Sequence, residues 1–364
     1  MTRRMARARQ VIRRVLAVST VGVVLFLALT PTGCYLSRAG WEEARILAGR
    51  KPIARLVDDP QTDSATRAKL RLVLEARAFA RDSVGLDVGE SFTTYSRLRR
   101  DTLVLVLSAA YRDRLEPHTW WFPIVGRVPY KGFFDFEAAQ NAARDLRERG
   151  LDTYLRPSAA FSTLGWFNDP LLSTTLRFDS LDLANTVIHE VTHNTFYAPG
   201  QAIFNESFAT FVGARGTEWF FRSLGDTARA RLALDDWADD KELGRFWGKL
   251  WRELDSAYRA NPQDRDARLT ARDTIYARAR RLLVDSVGPR LRRIDRRVLD
   301  RVQLDNAALL ARRIYLTELD VFDRVYEAEG RDLPRAIARI IALAKRREAD
   351  PYGELKAWVA RIQP

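Results

Sequence analysis

The chain has 364 residues, 46% hydrophobic and 29% charged, the balance of a folded globular protein with a sizeable core. That balance excludes a disordered chain, a collagen-like repeat and a polytopic membrane protein. A single cysteine excludes a disulfide framework and a thiolate metal cluster. The formal charge of +13 points toward nucleic acid until it is located along the chain.

Six arginines (Arg3, Arg4, Arg7, Arg9, Arg13 and Arg14) fall in the first fifteen residues with no acid among them, and without them the charge drops from +13 to +7. An uncharged stretch from Val15 to Gly33 follows, with an apolar heart from Leu16 to Leu29. A basic start and an apolar segment short for a membrane span are the layout of a secretory signal. The stretch ends at Cys34, the lone cysteine. Gly33-Cys34 after such a segment resembles a bacterial lipobox, although Pro31 stands where leucine is usual. The expectation is a leader over residues 1–33, then a single domain over 34–364, outside the cytoplasm on the periplasmic side. It is held to the membrane by a lipid on Cys34 or by an uncleaved N-terminal helix. Tyr35, in place of an aspartate after the cysteine, leans toward an outer membrane. The remaining charge lies on stretches such as RLRRIDRRVLDRV, interleaved with acids, which reads as a solvated helix face, so no nucleic-acid partner is expected.

In chain order, residues 37–56 and 63–83 carry helical periodicity, the second with Asp63-Ser64 as its cap. TLVLVLSAAY reads as a buried strand, and the aromatic run from Thr119 to Phe136, broken by proline and glycine, as irregular. Residues 136–149 form an amphipathic helix between Asp135 and Gly150, and two further strands follow before residue 180. Beyond that the pattern is helical over 180–197, 203–224, 226–260, 268–300, 303–329, 333–347 and 351–362. The expected class is α+β, predominantly α-helical. Residues 34–179 hold a helical start and a small mixed sheet, and residues 180–364 form the helical half.

Chemistry concentrates in NTVIHEVTHNTFY. Of only three histidines, two are His189 and His193, spaced four apart on one helix face. Two neutral imidazoles so placed can hold one zinc ion, with Glu190 beside it as a general base. A third ligand has to be oxygen, since no histidine or cysteine is near. Glu206, in FNESFATFVGARG beyond the Pro199-Gly200 break, is the choice over Glu218. Ala209, Thr210 and Gly213 keep one face of its helix small enough to pack closely. Candidate oxyanion donors are Tyr130, Tyr197, one turn beyond His193, and His118. Trp120, Trp121, Phe122, Trp166 and Phe167 could line a cleft, and Asp169 could bind a free amino group.

His189-Glu190-x-x-His193 followed by Asn205-Glu206 resembles the gluzincin metallopeptidases, of which thermolysin is the familiar member. Threonine stands at 210, where those enzymes carry an aspartate behind a histidine ligand. GCYLSRAGWEEARILAGRKPI, WWFPIVGRVPYKGFFDFEAA, STLGWFNDPLLST, FNESFATFVG and DNAALLARRIY are together similar to a bacterial family of predicted aminopeptidases, zinc lipoproteins. The resemblance implies a zincin-like fold, one zinc per chain and a peptide or protein substrate. Two other readings remain: an endopeptidase acting on envelope proteins, and a non-catalytic binding module whose zinc is structural.

Overall fold

The computed structural model describes residues 2–98, 104–122, 126–158 and 170–362. Its first half begins with α1 (Thr2–Leu29) and α2 (Pro31–Ala48), α3 (Ile53–Asp58) and α4 (Ser64–Asp82). Strands β1 (Lys51–Pro52) and β2 (Thr94–Ser96) flank the last two helices. Next come β3 (Val104–Tyr111), β4 (Trp120–Phe122), β5 (Gly126–Val128) and β6 (Tyr130–Phe133). Helix α5 (Phe136–Glu148) and strands β7 (Leu151–Ser158) and β8 (Leu171–Leu172) complete that half. The second half holds α6 (Ser180–Thr195), α7 (Ala202–Ser223), α8 (Thr227–Ala260), α9 (Arg265–Leu282) and α10 (Arg296–Asp300). It ends with α11 (Asn306–Arg313), α12 (Leu319–Ala328), α13 (Leu333–Arg346) and α14 (Pro351–Ile362). Two thirds of the chain is helical and the sheets are small, so the class is α+β and predominantly helical.

Three expected helices are interrupted. The one over 37–56 stops at Ala48, where the Gly49 N–H closes the last turn on Arg45, and the chain enters β1. The one over 268–300 ends at Leu282 in a π turn over Leu283–Val287, and α10 starts afresh at Arg296. The one over 303–329 breaks between Arg313 and Leu319, where Glu318 takes a left-handed φ of 55°. The sheet is also divided: β1-β2-β8 is mixed, β6-β3-β7 is antiparallel, and β4-β5 is a hairpin within the stretch expected to be irregular.

The β6-β3-β7 sheet shows how strand alternation positions the site. Leu107, Leu155 and Phe133 cluster with Ala143 and Leu146 of α5, so α5 covers one face. Register pairs Ser108 with Tyr130 and Tyr154, and Val106 with Gly132 and Arg156. Those residues therefore share the opposite face, on which α11 lies, with Arg312 over the Tyr154 ring at 5.7 Å.

The main core is formed by α4, α6, α7, α8 and α12–α14. Phe204, Phe208 and Phe211 on α7 place their rings 5.9, 6.0 and 5.6 Å from Phe322 of α12. Each such burial is worth about 1.5–3 kcal/mol. Asp323, beside Phe322, receives Arg215 at 2.6 Å, the Trp237 indole N–H at 2.9 Å, and Lys241, tying α7 and α8 to α12. In the arginine-rich stretch near 292, Arg292 meets Asp235 at 2.7 Å and Arg293 meets Asp236 at 2.6 Å. Among the described residues, no helix is long and apolar enough to cross a membrane.

Candidate metal centre

Helix α6 is capped by Asp179, whose carboxylate accepts the Leu181 and Asp182 N–H groups at 2.8 and 2.9 Å. Leu183, Ala184, Val187, Ile188 and Val191 are completely buried. They fix the rotation of the helix and leave His189 and His193 on the edge turned to α7. The helix ends at Thr195 with Phe196 already extended, so Tyr197 is not on the histidine face of a continuing helix, as expected from sequence. It stands at the start of the connecting turn, 57% exposed.

Asn205 holds that turn closed. Its side-chain oxygen accepts the Ala198 N–H at 2.9 Å and its amide donates to the Ala198 carbonyl at 2.8 Å. Helix α7 then runs back antiparallel along α6, and glycines set the spacing. A Cβ at Gly216 would stand 2.8 Å from Ile188 Cγ2, and one at Gly213 would stand 3.2 Å from His189 Cβ and 2.6 Å from Asn185 Oδ1. Only glycine lets the two backbones approach this closely.

The result brings Glu206 to both histidines: Oε2 lies 3.4 Å from His189 Nε2 and Oε1 lies 3.6 Å from His193 Nε2. One ligand atom from each residue falls within 4.8 Å of the other two, the single such group among the described residues. Ligands bound tetrahedrally at about 2.0–2.1 Å stand about 3.3 Å apart, so the donor set and its spacing fit zinc. Burial favours the uncharged carboxyl of Glu206, but the His189 hydrogen bond and the His193, His189 and Arg156 charges outweigh it and hold the pKa below the ordinary value. Burial and the neighbouring His189 push the His193 pKa down, toward the neutral ring that a metal requires. For His189 burial acts the same way, but the hydrogen bond and charge of Glu206 and the charge of Glu190 raise it.

Glu190 points to solvent at the rim, and its charge reaches both histidines. Tyr130 opens β6 and is 45% exposed; burial of its phenol and the Glu206 charge raise its pKa, with a further contribution from Tyr197. Tyr197 is thus near Tyr130, and Tyr130 is near the centre. Glu218 is not: twelve residues along α7 is about 18 Å, and it pairs with Arg222. His118 is not either; its ring packs edge-on against Trp120 at 4.8 Å, and burial with Arg149 and Arg127 lowers its pKa. Phe122 packs on Tyr35 at 5.5 Å and Trp121 is exposed, while Trp166, Phe167 and Asp169 lie outside the described residues. The Thr210 hydroxyl donates to the Glu206 carbonyl at 2.8 Å and so orients no histidine.

Two residues were missed from sequence. Burial and the charges of Glu206 and Glu190 raise the Tyr315 pKa, and Arg156 opposes that rise. Tyr315 lies in the break between α11 and α12. Ser207, next to Glu206, fastens that break: its hydroxyl meets the Ile314 carbonyl at 3.3 Å and the Thr317 N–H at 3.2 Å. The Tyr352 hydroxyl holds the Thr317 carbonyl at 2.8 Å. Arg156, half-buried on the face of β7 on which α11 lies, reaches Glu206, Tyr130 and Tyr315 with its charge. A tyrosine ending DNAALLARRIY was a signal; nothing in sequence marked Arg156.

No curated protein and no solved structure matches the chain. A family model described as "Putative aminopeptidase" matches residues 34–352, nearly the whole length, and the chain belongs to that family.

Proposed function

We propose that the chain is a zinc-dependent peptidase of gluzincin type, acting as an aminopeptidase, with His189, His193 and Glu206 as ligands and Glu190 as general base. The observation that carries this is the pair of nitrogen–oxygen separations from Glu206 to the two histidines, 3.4 and 3.6 Å, close to the spacing of about 3.3 Å that tetrahedral zinc ligands would take. The family description supports the peptidase class. Zinc held by His189, His193 and Glu206 would supply Lewis acidity and lower the pKa of a water to about 7.

The chain's own residues do the rest. Glu190, beside a ligand and open to the cleft, accepts the proton of the attacking water and returns it to the leaving amine. Tyr315 and Tyr130 both have raised pKa values, so both phenols stay protonated at neutral pH and can donate to the oxyanion. Tyr315 carries this role first, because of the two phenols it is the one on which the charges of both Glu190 and Glu206 act. The same reading includes membrane attachment outside the cytoplasm. It is supported by the arginine-rich start, the apolar segment and the exposed Cys34.

The test is cleavage mapping of the zinc-loaded chain on a mixed peptide library, beside Glu190→Gln. Ladders shortening from the N-terminus, absent in the variant, support the aminopeptidase. Internal cuts replace it with an endopeptidase. No cleavage by a zinc-loaded chain overturns the enzyme and leaves a binding module.

A further inference from the structure

Behind the zinc helix lies a second cluster that the peptidase reading does not use. A cavity of about 220 Å³ is lined by Asp182 and Asn185 of α6, Thr217 of α7, and Asp236, Asp239 and Asp240 of α8. Four carboxylates meet there, and two are already satisfied. Asp239 accepts the backbone N–H groups of Arg292 and Arg293 at 2.7 and 2.8 Å, and Asp236 accepts Arg293 Nε at 2.6 Å. The side chains of Asp182 and Asp240 have no hydrogen bond or ion pair among the described residues. Among the described residues Arg293 is the cation whose charge acts on Asp182 and Asp236, while Arg292 is drawn outward to Asp235.

An independent sign comes from α7. Thr217 is 1% exposed, lines the cavity, and its hydroxyl oxygen has no hydrogen-bond partner among the described residues. A buried hydroxyl without a partner costs free energy, and so does a set of crowded carboxylates. Burial and the charges of Asp236 and Asp239 push the Asp240 carboxyl up to about 7. Burial and Asp179 raise Asp182 in the same way. Folding has gathered oxygen donors from three helices, and among the described residues the contacts of Arg292 and Arg293 offset only part of the cost.

We propose that this cavity binds one partly hydrated calcium ion, held by Asp182, Asp236 and Asp240 and completed by Asn185 and Thr217. All donors are oxygen, which selects a hard cation. Among the described residues only His189, His193 and Glu206 bring three candidate atoms within 4.8 Å, so these carboxylates stand too far apart for a bare ion. A volume near 220 Å³ has room for about seven waters at about 30 Å³ each, so the ion keeps part of its shell. Irregular donors from three helices suit the variable coordination of calcium better than the strict octahedron of magnesium. Asn185 lies one turn before His189, so the ion pins the start of the zinc helix to α7 and α8. The inference does not depend on the peptidase reading.

The full-length, zinc-loaded chain is melted at pH 8 in 10 mM calcium, in magnesium, and in sodium of equal ionic strength, with equilibrium dialysis reporting bound calcium. With an affinity of about 10⁻⁴–10⁻³ M, calcium raises Tm by about 2–5 °C, and magnesium raises it less. Asp240→Asn, which relieves the repulsion, is expected to melt no lower than wild type without calcium, to keep its zinc, and to lose the calcium response. Wild type that binds no calcium in dialysis overturns the proposal. So does an equal response to magnesium, or an Asp240→Asn chain that still responds.

Discussion

The α6–α7 pair and the wall facing it contribute to one site by different physics. In α6–α7, spacing along the helices does the work: two histidines four apart, a buried apolar face and two glycines bring Glu206 to a fixed distance. The opposing wall is assembled from β6, β7 and the break after α11, three segments distant in sequence. Tyr130 and Arg156 are placed by strand register, and Tyr315 by a loop tied to Ser207 and Tyr352. The proposed metal ligands thus depend on local periodicity, while the groups proposed to meet a substrate depend on tertiary contacts.

Glu190 belongs to the helix pair, yet its proposed role is directed toward the wall. Glu190→Gln should retain zinc and lose about 10²–10⁴-fold in kcat, checked by metal analysis beside turnover. Full activity in that variant would remove the general base from the account.

Next in size is Asp323, which supports the helix pair from behind. Asp323→Asn leaves Arg215 and Lys241 without their counter-charge and should cost about 3–5 kcal/mol in denaturant unfolding. Burial pushes its carboxyl up, but Arg215 and Lys241 outweigh that and hold it below the ordinary value. The folded state therefore binds fewer protons than the unfolded chain. Its contribution is present above the unfolded value of about 3.9 and is lost as pH falls through the depressed one. An unfolding free energy of Asp323→Asn that falls as steeply as wild type below pH 4 would contradict this.

Tyr315→Phe tests the wall itself: kcat should fall about 10²-fold with zinc content unchanged. Tyr130→Phe should cost less, since that side chain is 45% exposed. The reverse order would move the oxyanion role to β6. The smallest effect is structural. Gly216→Ala places a methyl against Ile188 and should cost about 1–3 kcal/mol of stability, with looser zinc binding. A neutral result would mean that the helices have room to separate.

What was legible in the sequence follows the same division. HEVTH, the Asn205-Glu206 pair and the small face of α7 announce themselves because helical neighbours are three or four residues apart. Asp63 and Asp135 were readable as caps for the same reason, and their carboxylates accept the Thr66 and Ala138 N–H groups. The break at 314–318 was not readable, because 303–329 contains no proline or glycine and only tertiary bonds hold the bend. The early end of α6 at Thr195 was hidden as well: no breaker precedes Ala198, and Asn205 closes the turn from the next helix. Arg156 could not be singled out among the arginines of a chain with 60 basic residues.

The most direct test of the central claim is a zinc titration into chelated, full-length protein, reading bound metal and peptide hydrolysis in the same samples. The account expects both to rise together and to stop at one zinc per chain. Hydrolysis that is complete before any zinc is added, or a site that fills without hydrolysis appearing, would contradict it.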